Sequence, residues 1–153
     1  MLQSRVGMFE VTTVTVHGKP TAIGSAGPFT LVVDRPPDAG GAGVGFNGGQ
    51  LLYLAVAGCI SNDLFREALA EGISLTHVRV TVRGDFSGDP AVSDEIGYEV
   101  DIDGDAAPER LRTLVEHVDE IAEIPNSLRR ATPVRLGSVQ IQSSEERLAR
   151  AGR

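Results

Sequence analysis

The chain changes its apolar rhythm several times between Phe9 and Gln142, and each change predicts an element. From Phe9 to Val16, β-branched residues follow one another through Val11, Thr12, Thr13, Val14, Thr15 and Val16. That composition favours a strand. His17-Gly18-Lys19-Pro20 predicts a turn, and Thr21 to Ser25 and Phe29 to Asp34 predict two further strands around Ala26-Gly27-Pro28. The three strands make a small antiparallel meander. Arg35 to Gly49 then carries Pro36, Pro37 and the glycines 40, 41, 43, 45, 48 and 49, which predicts a mobile loop. Asn47 offers a helix N-cap, with Gln50 three residues later as in a capping box.

Gln50 to Glu71 predicts a helix closed by Gly72. Its first half, Leu51 to Ile60, is apolar nearly all round, which predicts burial on all sides. Its second half, with Asn62, Asp63, Arg66 and Glu67, is amphipathic and expected to reach solvent. Ser74 to Phe86 alternates, with Val78, Val80 and Val82 on one face and Arg79, Thr81 and Arg83 on the other. Ile96 to Ile102 alternates too, predicting a long hairpin around the polar loop Ser87 to Asp94. Pro108 opens a second helix to Ile124, striped by Leu111, Leu114, Val115, Val118 and Ile121. Pro125 interrupts it, and Asn126 caps a short continuation to Ala131. Val134 to Gln142 predicts a last strand, and Ser143 to Arg153 a polar tail. The order β-β-β-α-β-β-α-β is an α+β pattern, two helices against an antiparallel sheet, in one domain spanning 1–153.

Composition narrows the function. With a net charge of -7, the surface repels phosphate backbones, and Arg129-Arg130 is the nearest thing to a basic cluster. No nucleic acid partner is expected. The densest apolar stretch, Leu51 to Ile60, is about half the length that spans a bilayer, and Met1 to Glu10 lacks a signal-peptide run. A cytoplasmic protein with no membrane partner is the expectation. Gly43 to Gly48 matches G-x-G-x-x-G, yet loop residues rather than a strand lead into it. Asp101, Asp103 and Asp105 resemble a calcium loop with the glycine misplaced and Arg112 where the bidentate Glu belongs. His17, His77 and His117 are scattered without a second ligand at metal spacing. No cofactor and no metal are expected.

Cys59 is the single cysteine, so no intrachain disulfide can form, and it is the one candidate reactive centre. A cysteine on an apolar helix is more often a small hydrophobe than a nucleophile. Reactivity needs a thiolate, and a thiolate in apolar surroundings needs a cation or donors beside it.

The glycine-rich loop followed by Asn47-Gly48-Gly49-Gln50-Leu51-Leu52 and Ala55-Val56-Ala57-Gly58-Cys59 resembles the cysteine helix of the OsmC/Ohr family. Asn126-Ser127-Leu128-Arg129 resembles that family's N-S-L-R segment, in the same order along the chain. The resemblance implies an OsmC-like fold in an intertwined homodimer, with thiol-dependent reduction of organic hydroperoxides at the interface. Cys59 matches the peroxidatic cysteine, and Lys19 aligns loosely with the family's Arg. The resolving cysteine falls at Ala122 and the family's Glu at Gly49, with Gln50 beside it. A one-cysteine enzyme then needs an external thiol reductant. The implied substrate site takes in Gln50, Leu52, Val56 and Ile60. The alternatives are a non-catalytic dimer holding a small apolar ligand at that interface, in which Cys59 merely packs, and a purely structural or regulatory dimer.

Overall fold

The computed structural model describes residues 8–152, so the expectation for the extreme N-terminus falls largely outside it. Strands β1 (Thr12–Thr15), β2 (Ala22–Ala26) and β3 (Phe29–Val33) form an antiparallel sheet in chain order. Val14 lies opposite Ile23, which lies opposite Val32. The predicted meander is present, with its first strand shorter than Phe9 to Val16.

The glycine-rich segment after β3 is tied down rather than mobile. Phe46 donates its N–H to the Val32 carbonyl at 3.1 Å, and the Asp34 N–H donates to the Phe46 carbonyl at 2.9 Å. At Gly45 a Cβ would lie 2.3 Å from the Val32 oxygen, so no side chain fits there. Asp34, 3% exposed, gathers the loop: its carboxylate accepts from Ala42 N–H at 3.0 Å, Val44 N–H at 3.2 Å and the Thr21 hydroxyl at 3.2 Å. Burial pushes this carboxyl up, but the N–H groups of Arg35, Val44 and Ala42 and the Thr21 hydroxyl outweigh it and hold it below its ordinary value.

Helix α1 (Gly48–Ala70) starts as its cap residues dictate. The Asn47 side chain accepts from Gln50 N–H at 2.9 Å, and the Gln50 side chain accepts from Asn47 N–H at 3.0 Å. At the other end Gly72 adopts a left-handed φ of 68°, Ile73 N–H donates to the Ala68 carbonyl at 2.9 Å, and buried Ile73 covers the helix end. Val56, Ile60, Leu64 and Ala68 form one buried row at four-residue spacing. The opposite face is open: Leu54, Phe65 and Leu69 are exposed. The expected burial of the first half of α1, Leu51 to Ile60, on all sides does not occur within one chain, since Leu54 and Ala55 are exposed.

Strands β4 (Leu75–Arg83) and β7 (Gly97–Gly104) pair antiparallel, with Val78, Val80 and Val82 opposite Ile102, Val100 and Tyr98. The loop between them holds a small hairpin, β5 (Phe86–Ser87) with β6 (Val92–Ser93). Ser74 N–H donates to the Asp105 carboxylate at 2.7 Å, so that acidic turn is a strand-to-helix connection. Helix α2 (Pro108–Ile121) places Leu114 and Val118 against Ile60, Leu64, Ala68 and Ile73, and Ala122 completes the cluster. The break before α3 (Glu123–Arg129) falls at Ala122 rather than Pro125. Pro125 stands in the first turn of α3, where a missing N–H costs little.

Two C-terminal expectations are overturned. Val134 to Gln142 forms no strand, and Val134, Leu136, Val139 and Ile141 are exposed. Apolar residues recur at 134, 136, 139 and 141, but a strand needs a ladder, and none of the described residues supplies one. The polar tail is helical instead, as α4 (Ser144–Ala151), with Ser143 accepting from Glu145 N–H at 3.2 Å. Along the described residues the order is therefore β-β-β-α-β-β-β-β-α-α-α in three small sheets.

Truncating Leu64, wholly buried in the central cluster, to alanine should cost about 2–5 kcal/mol in urea unfolding, the range for buried leucines. The Asp34 carboxylate, held below its unfolded value of about 3.9, stabilises the fold fully above that pH and loses this contribution as pH falls through the folded value. Asp34→Asn should therefore unfold at lower urea than the parent at pH 7. The gap should shrink once pH drops below about 4.

Candidate functional site

Cys59 is half-buried on α1, packed against the edge of the central cluster. It belongs to the helix face that also carries Leu52 and Val56, seven and three residues earlier. Its thiol donates to the Asp63 carboxylate one turn on, at an Sγ–Oδ2 distance of 3.8 Å. Asp63 itself is 8% exposed. The expected solvent-facing half of α1 thus turns one carboxylate inward. Arg66 makes this possible by donating to the other Asp63 oxygen at 2.9 Å, so the carboxylate is buried paired.

The network continues outward. Arg66 Nε donates to Glu67 at 2.8 Å, and His117 of α2 meets the second Glu67 oxygen at 3.2 Å. The hydrogen bond from Arg66, then burial opposing it, then His117 set the Glu67 carboxyl, which lies below its ordinary value. The same bond to Glu67 raises the Arg66 guanidinium against its burial. His117 is thus a partner in this chain of contacts rather than a free surface histidine, while His77 stays exposed.

Beside Cys59's face lies a cleft of ≈ 500 Å³. Leu52, Val56, Ile96, Pro125 and Leu128 line it with apolar side chains, and Ser93, Asp94, Glu95, Tyr98 and Arg129 with polar ones, while Cys59 itself is not part of the lining. Tyr98 donates a short hydrogen bond to Asp119, and Arg129 clamps the same carboxylate at 2.7 Å. Burial and then the Asp119 carboxylate hold the Tyr98 phenol well above its ordinary value. Burial pushes Asp119 up, but Tyr98 and Arg129 outweigh it and hold it down.

The other anticipated site residues are distributed around this centre. Ile60 lies in the core, 1% exposed. Gln50 is occupied by the Asn47 cap, about 13 Å along the helix from Cys59. Lys19 is exposed in the turn between β1 and β2, its N–H donating to the Val16 carbonyl at 3.0 Å. Among the described residues no hydrogen bond or ion pair joins it to Cys59. A Cβ at Gly49 would lie 2.9 Å from the Phe86 ring, which stacks on Tyr53 at 5.9 Å, so an aromatic pair fills the space there. Ala122, where the resolving cysteine aligns, is wholly buried in the cluster that Cys59 packs against. Asp63 and Arg66 escaped sequence reasoning as site residues. The available signal was their spacing from Cys59, four and seven residues on one helix face. No group of three or more metal-ligating side chains occurs among the described residues, and no described helix is long and apolar enough to cross a membrane.

Comparison with known proteins agrees with this architecture. No curated protein matches the sequence. An OsmC-like protein from Mycoplasma pneumoniae superposes with a TM-score of 0.71 at 19% identity, covering 81% of this chain and 89% of its own. Organic hydroperoxide resistance proteins from Legionella pneumophila and Elizabethkingia anophelis superpose with TM-scores of 0.56 and 0.58 at 18% and 16% identity. They cover 81% and 82% of this chain, and 90% and 91% of their own chains. These likenesses are of fold. Residues 40–137, more than half of the chain and including Cys59, match the family described as OsmC-like protein, and the chain belongs to that family.

Proposed function

We propose that the chain reduces organic hydroperoxides through Cys59 alone, with small external thiols as reductant, and does so as a homodimer. The observation that carries this reading is that Leu52 and Val56, which line the cleft, stand on the same face of α1 as Cys59, three residues beyond Val56. An alkyl hydroperoxide has the matching shape, an apolar tail for that wall and a reactive O–O end for sulfur. Relatives with this fold include organic hydroperoxide resistance proteins, which supports the same chemistry.

The Cys59 sulfur attacks the distal oxygen of the hydroperoxide, the S–O bond forms as O–O breaks, and an alcohol leaves. The sulfenic acid is then attacked by one external thiol with loss of water, and a second thiol releases Cys59 and a small disulfide. Ala122 stands where a resolving thiol aligns, so both reducing equivalents come from outside.

The homodimer is supported by surface that one chain leaves open. Ile23, Phe29 and Leu31 on the first sheet, Leu54 and Phe65 on α1, and the irregular 134–142 segment all expose apolar side chains. A second reading, a dimer that holds a small apolar ligand, is favoured by a different cavity of ≈ 450 Å³. It lies between the first sheet and α1, lined among others by Val11, Phe29, Leu31, Val33, Leu51 and Ala55.

Purified protein should consume cumene hydroperoxide in the presence of dithiothreitol, and Cys59→Ser should abolish this. Turnover that survives the substitution would rule out the first reading; an inert wild type whose native mass spectrum carries a bound apolar molecule would favour the second. Removing residues 134–153 should convert a dimer to a monomer in sedimentation analysis, and a full-length monomer would contradict the assembly.

A further inference from the structure

We propose that Asp63 is the proton acceptor of Cys59 and that Arg66 is the positioning residue that holds it for this task. The inference rests on the hydroperoxide reading above and assigns a part of that reaction to residues outside the family resemblance. Three observations carry it. The Asp63 carboxylate is the hydrogen-bond acceptor of the thiol, at 3.8 Å. It is almost wholly buried, beside a half-buried sulfur at the edge of the core. Its second oxygen is fixed by Arg66 at 2.9 Å, which leaves Oδ2 facing sulfur.

A general base must lie within hydrogen-bond reach of the proton it removes, and Asp63 meets that condition in the resting protein. As sulfur attacks the distal oxygen, the thiol proton passes to Asp63 Oδ2. The alkoxide leaving with the other oxygen takes that proton back. Thiol and hydroperoxide thereby become sulfenic acid and alcohol, and Asp63 ends as it began. The thiolate character that attack needs develops as Asp63 takes the proton, rather than being held beforehand by a cation next to sulfur.

The charged surroundings of Asp63 come from several elements. Arg66 and Glu67 lie on α1, His117 of α2 meets Glu67, and Glu123 at the start of α3 acts on Arg66 through space. On β4, which packs against α1, the ionisable residues His77, Arg79 and Arg83 are exposed. His117 therefore reaches the thiol through Glu67, Arg66 and Asp63 in turn.

The test measures single-turnover oxidation of Cys59 by cumene hydroperoxide from pH 5 to 10, in the wild type, Asp63→Asn and Asp63→Glu. At pH 7 the asparagine variant should lose on the order of 10²-fold in rate, the lower end for a positioned base. Its deficit should close at the alkaline end, where hydroxide in solution replaces the carboxylate as base; a merely structural role would not produce that convergence. Asp63→Glu keeps a carboxylate and should recover most of the neutral-pH rate, which covers failure of the asparagine variant to fold. An active wild type matched by Asp63→Asn at every pH, or a variant that reacts faster at neutral pH, overturns the role of Asp63 alone. A wild-type thiol inert to the peroxide overturns the hydroperoxide reading, and this inference with it.

Discussion

The burial of one row of α1 is the constraint from which the rest of the molecule follows. Val56, Ile60, Leu64 and Ala68 lie one turn apart, and closing them against β4, β7 and α2 fixes the rotation of a helix about 34 Å long. With that rotation fixed, Cys59 and Asp63 must fall on the border of the core, each one position before a buried residue of the row. Sulfur is therefore neither sequestered nor fully solvated, and the carboxylate beside it is buried only because Arg66 can reach it from the solvent side. The polar pair is a consequence of packing geometry. A helix turned by half a residue's rotation would carry the thiol into the cluster or out to water.

The same constraint leaves the opposite face of α1 without cover. Leu54, Phe65 and Leu69 are exposed there, and the first sheet exposes Ile23, Phe29 and Leu31. Scattered exposed apolar residues are ordinary, but Leu54, Phe65 and Leu69 share a helix face, Phe29 and Leu31 share one face of the first sheet, and the 134–142 segment adds four more. A segment whose backbone N–H and C=O groups find no ladder stays coil in water; it becomes a strand when a ladder accepts it. On the dimeric reading a second copy of the chain supplies both the ladder and the cover.

This explains which features were legible in the sequence. Elements closed by local chemistry were readable: the Asn47–Gln50 capping box, the left-handed Gly72, and the alternation of Val78, Val80 and Val82 all describe structure that forms within a few residues or one hairpin. Features that depend on distant partners were not. The 134–142 pattern suggests a strand but says nothing about the missing ladder. Glycines 40 to 49 read as a free loop because the anchor, Asp34, binds Ala42 and Val44 from the end of a preceding strand. The helix over Ser144–Ala151 was signalled by Ser143 followed by two glutamates, and its polarity masked it. Asp63 looked solvated because a lone aspartate in an amphipathic turn usually is; its burial needs Arg66 and the rotation of α1 together.

The departures from the family pattern have a common physical form. Where a glutamate aligns, Gly49 leaves room for Phe86, whose ring stacks on Tyr53. The Tyr53 hydroxyl in turn donates to the Asp85 carbonyl at 3.3 Å and meets Ser93 at 3.1 Å, tying the small β5–β6 hairpin to the start of α1. A carboxylate placed at position 49 would displace that aromatic pair. The acid and the cation near the cysteine stand instead on its own helix, as Asp63 and Arg66, at spacings of four and seven residues. A pair carried by one rigid helix keeps its distance to sulfur whatever the loops do. The resemblance places the acid at Gly49, also on α1 but ten residues from the cysteine, and the cation at Lys19 on a separate segment, where its distance to sulfur depends on how that segment packs. On the proposed reading, a single helix of this chain thus holds the nucleophile, its base and the residue that aims the base, and the neighbouring elements are left to shape the cleft.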